Sequence, residues 1–225
     1  KYPLLPKGAT IGVTAPSSGV PTELHDILKL AIKRMENQGH TVLCEDTVWT
    51  QDKAKSAHAK KRAKEFNKMM EDENVSILIP PWGGELLIEM LEYVNYETMK
   101  EKWILGYSDT SALLLAITLK TGIATAHGTN LVDLRGEYSD PTTAKWQAVL
   151  STHVGKKVIQ TSSEKYQKEW QHTNPTPCIF HLTEQTYWRT VSTKNEIVEG
   201  RLLGGCIDII RHLIGTPYGD VKTFS

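Results

Sequence analysis

From residue 9 to residue 119 the chain alternates short apolar runs with helical runs, and that rhythm leaves few ways to fold. Residues 9–15 predict a first strand, closed by the Pro16-Ser17-Ser18-Gly19 turn. Residues 23–38 predict an amphipathic helix stopped by Gly39, and residues 41–45 a second strand. A helix over residues 56–70 leads to a third strand at 75–79, which runs into Pro80-Pro81-Trp82-Gly83-Gly84. A helix over residues 85–93 precedes the strand that ends at Gly106. The next helix, over 112–119, is apolar on every side, which predicts burial on every side. The alternation predicts an α/β fold: an N-terminal doubly wound, mostly parallel sheet of flavodoxin-like type, with helices on both faces.

The texture changes near residue 140. Residues 139–194 are polar, carry Pro141, Pro175 and Pro177 together with Trp146, Trp170 and Trp188, and lack the strand-helix rhythm. Regularity returns at 198–208 and continues into an apolar helix over 209–214. The expected organisation is therefore an N-terminal α/β domain at 1–139, a loop-rich insertion at 140–197, and the start of a second, incomplete C-terminal domain at 198–225.

Composition excludes more than it selects. Lys plus Arg and Asp plus Glu both number 26, so no net field recruits nucleic acid or an anionic membrane. The lysine-rich run over 53–68 reads as the solvated face of a helix with Ala57, Ala63, Phe66, Met69 and Met70 turned inward. Cys44, Cys178 and Cys206 are widely spaced, with no CxxC pair and no even count, so no zinc site or disulfide framework is expected. No run is long enough to span a bilayer and no signal segment is legible, which makes the cytoplasm the default location.

Two turns could carry chemistry. In Ile104-Leu105-Gly106-Tyr107-Ser108-Asp109-Thr110 a strand runs straight into a helix and leaves a serine on the turn. Open α/β sheets bind ligands at such strand ends, and the helix N-terminus offers unpaired N–H groups. Taken alone the turn reads as a helix cap made by Ser108 or Asp109, but the wholly apolar helix behind it can hold the turn rigidly and makes Ser108 a candidate nucleophile. The segment is not the Gly-x-Ser-x-Gly elbow, because Thr110 replaces the second glycine. Gly83-Gly84 follows a neighbouring strand. It is either a plain turn or a donor of backbone N–H groups toward a substrate oxygen, an oxyanion hole facing Ser108. Trp170, on a polar loop, could stack on a ligand or fold back on the core. His212, on an apolar helix, reads as a core histidine.

Pro81-Trp82-Gly83-Gly84, Gly106-Tyr107-Ser108-Asp109, His127-Gly128, Glu199-Gly200-Arg201-Leu202-Leu203-Gly204-Gly205 and Gly215-Thr216-Pro217 occur in the order seen in the LD-carboxypeptidases. The chain resembles that serine peptidase family, which includes the microcin C self-immunity proteins, over essentially its whole length. The resemblance implies a hydrolase with a Ser-Glu-His triad in which Ser108 is the nucleophile, with no metal and no organic cofactor. It implies an oxyanion hole made by N–H groups of the Gly83-Gly84 turn and of Asp109. The substrate would be a murein tetrapeptide or, in the immunity branch, a peptidyl-nucleotide whose base stacks on a loop tryptophan. Trp170 matches that position best, with Trp188 its rival; Trp82 and His127 are further candidate substrate-binding residues. The family's glutamate and histidine follow the Gly-Thr-Pro turn, so the resemblance places both beyond Ser225. It thereby implies that the 225 residues alone are inactive. A homodimer is a possible assembly. The alternative is a non-catalytic module that binds a small ligand in the same crevice.

Overall fold

The computed structural model describes residues 1–192 and 196–224. Residues 193–195, in the expected insertion, and Ser225 lie outside the described residues. Five strands form one parallel sheet: β1 (Thr10–Val13), β2 (Thr41–Cys44), β3 (Ile77–Leu78), β4 (Trp103–Gly106) and β5 (Ala126–His127). Their order is β2-β1-β3-β4-β5. This is the flavodoxin-like order, and its switch point lies between β1 and β3, where chain direction out of the sheet reverses and a crevice opens. The prolines at 80 and 81 end β3 early. Hydrogen bonds from Ser76 N–H to Thr10 O (2.9 Å) and from Ile79 N–H to Gly12 O (3.0 Å) nevertheless carry the β1–β3 pairing across the expected strand.

Strand side chains alternate between two cores, as a sheet covered on both faces requires. Ile77, Trp103 and Leu105 point to the face packed by α1 (His25–Asn37) through Leu28, Ala31 and Met35. Leu78 and Ile104 point to the opposite face, packed by α2 (Ala59–Glu71) and α3 (Thr110–Thr121). In α2 the buried apolar residues are Ala63, Phe66, Met69 and Met70, so the lysine run is a solvated face as expected; Ala57 lies outside the helix. Residues 110–117 of α3 are all buried, and Gly122 stops the helix at a φ of 71°.

Two expected helices differ. Residues 87–93 form a 3₁₀ helix instead of the expected α-helix; at its start the Leu87 N–H donates to Asp109, and the Leu86 carbonyl accepts from Arg62 as well as from Glu89 N–H. The apolar segment at 209–214 is split between a single α-turn, Ile207–Ile210, and the 3₁₀ turn Arg211–Leu213. Only Leu213 of that 3₁₀ turn is buried, and His212 is exposed, not a core histidine. After the short helix α4 (Lys145–Leu150) most of the described chain is exposed, and β6 (Lys165–Tyr166) and β7 (Glu184–Gln185) form an antiparallel pair within it. Among the described residues no helix is long and apolar enough to cross a membrane.

Phe66 anchors α2 to the sheet and is 1% exposed. Phe66→Ala is expected to lower the unfolding free energy by about 3–5 kcal/mol through lost burial and the cavity left behind, measured by urea denaturation; a loss below about 1 kcal/mol would show that α2 is not part of this core.

Candidate active site

The carboxyl ends of β1, β3 and β4 converge at the switch point. Between Gly106, the last residue of β4, and Thr110, the first of α3, three residues must reverse the chain. Ser108 achieves this with a φ of 61°. A left-handed backbone costs a non-glycine residue roughly 1–2 kcal/mol. The helix behind it holds the turn: Ser111 N–H donates to Ser108 O (2.9 Å) and Ala112 N–H to Asp109 O (3.1 Å). Gly106 is required because a β-carbon there would fall 2.9 Å from the Thr110 methyl and 3.1 Å from Asn130 Oδ1. Neither Ser108 nor Asp109 caps α3 with its side chain, so the capping alternative does not describe this turn.

Gly83 packs directly against the serine. A β-carbon on it would lie 2.7 Å from Ser108 Cβ, 2.8 Å from Oγ and 3.1 Å from the Asp109 nitrogen. Gly84, at a φ of 151°, turns away toward Ser17 and Ser18, where a side chain would strike both hydroxyls. Ser18 N–H donates to Gly83 O at 3.2 Å, tying the turn after β1 to the turn after β3. Among the described residues no acceptor occupies the Gly84 or Asp109 N–H groups. Beside them opens a cavity of about 220 Å³ lined by Gly84, Glu85, Ile88, Asp109, Ala112, Ile209 and His212.

The Asp109 carboxylate is buried, 3% exposed, and does structural work there. Its Oδ2 accepts from Ser17 Oγ at 2.5 Å and from Leu87 N–H at 2.8 Å. Arg62, on α2, is fully buried nearby, and desolvation lowers its pKa against the opposing charges of Glu89 and Asp109.

Aromatic rings form a wall that begins at Tyr107, the residue before Ser108. Trp170 stacks on His172 (centroids 5.5 Å, planes 11° apart) and on Tyr107 (6.4 Å, 25°), while His172 also meets Trp82 at 5.9 Å. Trp170 itself remains 61% exposed. The Trp82 indole donates to Gly19 O at 3.0 Å. Arg135, buried, donates to Val132 O (2.7 Å) and to the His172 carbonyl (3.3 Å), which ties the tryptophan loop to the α/β body. Trp188 is 82% exposed and makes no ring contact among the described residues. His127 ends β5 in register with Gly106, and partial desolvation of its ring lowers its pKa.

Sequence reasoning thus brought Gly83, Gly84, Ser108, Asp109, Trp82 and Trp170 into one region, with His127 on the adjoining strand. It missed Ser17, Arg62, Asp133 and His172. Asp133 is the most electrostatically unusual of these: burial raises its pKa to about 6, partly offset by the Asn130 N–H, the Tyr107 hydroxyl and Arg135. Burial and Asp133 together raise the Tyr107 pKa. A polar residue three positions after Asn130, forming a capping box, was the available signal.

Because the folded protein holds the Asp133 proton more tightly than the unfolded chain, its contribution to stability is full below about pH 4 and is lost as pH rises through about 6. Asp133→Asn is expected to remove that decline, which is on the order of 1–3 kcal/mol. Unfolding curves at closely spaced pH values check this. Parallel profiles for the two proteins between pH 4 and 7 would contradict the assignment.

Residues 11–128 match the family described as LD-carboxypeptidase N-terminal domain. The chain is 26% identical over 218 residues to a putative carboxypeptidase of Vibrio cholerae, covering 94% of this chain and 64% of that protein. It is 24% identical over 217 residues to the microcin C7 self-immunity protein MccF of Escherichia coli (94% and 62%). It is 25% identical over 220 residues to a probable murein peptide carboxypeptidase of Bacillus subtilis (95% and 59%). The chain therefore spans less than two thirds of the length of these relatives. The solved structure of MccF in complex with aspartyl sulfamoyl adenosine shares the fold at a TM-score of 0.79 and 23% identity, over 96% of this chain and 66% of that one. A MccF-like protein of Bacillus anthracis does so at 0.76 and 24% (96% and 65%).

Proposed function

We propose that this chain, which belongs to the LD-carboxypeptidase family, carries the nucleophile of a serine-type hydrolase that cleaves an amide. The observation that carries the reading is one juxtaposition. Ser108 stands on a strained turn against Gly83, beside two N–H groups, of Gly84 and Asp109, that no described residue engages. Such a serine can attack a carbonyl carbon while the two N–H groups hold the developing oxyanion. The tetrahedral adduct collapses with loss of the amine, which takes up a proton, and water then releases the acyl group from Ser108.

The reaction needs a base, and among the described residues none hydrogen-bonds the Ser108 hydroxyl. The same observation favours the second reading, a ligand-binding module without catalysis. In the hydrolase reading the base and its orienting carboxylate come from the part of the full-length protein outside these 225 residues. Support for that lies in the greater length of the relatives.

For the substrate, the Tyr107-Trp170-His172 wall favours a planar group next to the scissile amide. An aminoacyl-nucleotide satisfies both requirements, whereas a murein tetrapeptide leaves the wall idle. The name of one relative, a self-immunity protein solved with aspartyl sulfamoyl adenosine, is in keeping with this choice.

Two variants of the full-length protein test the reading. Ser108→Ala is expected to lower turnover by more than about 10³-fold with binding retained; turnover within about tenfold of wild type, roughly 1.4 kcal/mol in barrier, excludes Ser108 as nucleophile. Trp170→Ala is expected to weaken an aminoacyl-nucleotide by roughly 1–3 kcal/mol and a murein tetrapeptide far less. Equal effects on both, read by titration calorimetry with the Ser108→Ala background, would assign Trp170 a structural role.

A further inference from the structure

Arg62 is the largest fully buried polar side chain, 0% exposed, and nothing in the sequence announces it. Its guanidinium reaches three acceptors on two different turns. Nη1 donates to Pro16 O at 2.7 Å and to Leu86 O at 2.9 Å, and Nη2 donates to Glu89 at 2.7 Å. Among the described residues Nε finds no acceptor. A buried cation with an unpaired donor and a half-exposed partner is a poor source of stability, since well-packed apolar residues in such places are often neutral or better. Geometry offers a better account.

Each carbonyl that Arg62 holds lies one residue before a group that holds Asp109. Pro16 precedes Ser17, whose hydroxyl binds Asp109 Oδ2, and Leu86 precedes Leu87, whose N–H binds the same oxygen. The guanidinium and the carboxylate thus grip the same two turns side by side. Between them run Ser18 N–H to Gly83 O, and Gly84 packed on Ser17 and Ser18. The position of the Gly83-Gly84 turn against Ser108 follows from this double grip. Lysine could not substitute, because its single nitrogen lacks the planar fork that spans both carbonyls and the carboxylate.

We infer that Arg62 is a positioning residue that sets the oxyanion pocket, by clamping the turn after β1 to the turn after β3. The inference rests on the hydrolase reading for its catalytic consequence, though not for the clamp itself. Misplacement of a donor by about 1 Å costs on the order of 10²-fold in rate, so the effect falls on kcat more than on KM.

The experiment uses full-length protein with Arg62→Met and Arg62→Lys, each read by amide hydrogen exchange and by steady-state kinetics on an aminoacyl-nucleotide. Expected are exchange at the Ser18 and Leu87 amides faster by about tenfold or more, and kcat lower by about tenfold or more with KM within about threefold. Glu89→Gln, which keeps both carbonyl contacts, is expected to hold kcat within about threefold. Should Arg62→Met fail to fold, Arg62→Lys carries both readouts, since it keeps the charge and most of the volume. Unchanged protection at Ser18 and Leu87 overturns the clamp. Faster exchange with unchanged kcat overturns the positioning role. Faster exchange in a protein whose wild type hydrolyses no amide supports the clamp and removes the hydrolase reading instead.

Discussion

The Asp109 carboxylate is the constraint on which the site hangs. It is buried at the start of α3, a place where the helix N-terminus favours negative charge, and it must satisfy its lone pairs locally. It does so by drawing in the Ser17 hydroxyl from the turn after β1 and the Leu87 N–H from the turn after β3. Three strand ends are thereby fixed to one side chain. Among the described residues no acceptor engages its own backbone N–H. Removing the carboxylate would leave the Leu87 N–H buried without a partner, a cost of roughly 1–3 kcal/mol before any effect on the turn.

Strain at Ser108 is sustained by what lies beneath it. The buried run 110–117 of α3 packs in the core with Leu78, Ile104 and the 3₁₀ segment 87–93, so the helix cannot shift to relax the left-handed residue at its head. Gly83 closes the space from above, and a methyl group there would be rejected by Ser108 itself. The tryptophan wall is held differently. Arg135 grips the His172 carbonyl, and the Trp82-His172-Trp170-Tyr107 contacts run from the α/β body out to an exposed ring.

Much of this was legible because it is local. The alternation of strand and helix runs predicted the parallel sheet with helices on both faces, which has the order β2-β1-β3-β4-β5. Ser108 and Gly83-Gly84 were visible because each marks a strand-to-helix junction within a few residues. Family membership, suggested by motifs in register, is established by the match over 11–128. What stayed hidden depends on residues that meet only in three dimensions. Ser17 and Asp109 are 92 positions apart, and Arg62 lies 46 residues from Pro16 inside a lysine-rich run that reads as solvent-facing. The 3₁₀ form of residues 87–93, with its contacts to Arg62 and Asp109, was hidden in the same way. His212 was misplaced because apolar neighbours suggested a core, whereas the segment covers the α3 side of the cleft with one buried leucine.

The central claim, that Ser108 is the attacking atom's residue, is tested most directly by covalent trapping. Full-length protein is treated with a fluorophosphonate, and the modified peptide is mapped by mass spectrometry alongside residual amide cleavage. The account predicts a single adduct on Ser108 whose yield tracks the loss of turnover. Turnover that persists with Ser108 fully modified, or complete inactivation with the adduct on another serine such as Ser17 or Ser18, would contradict it.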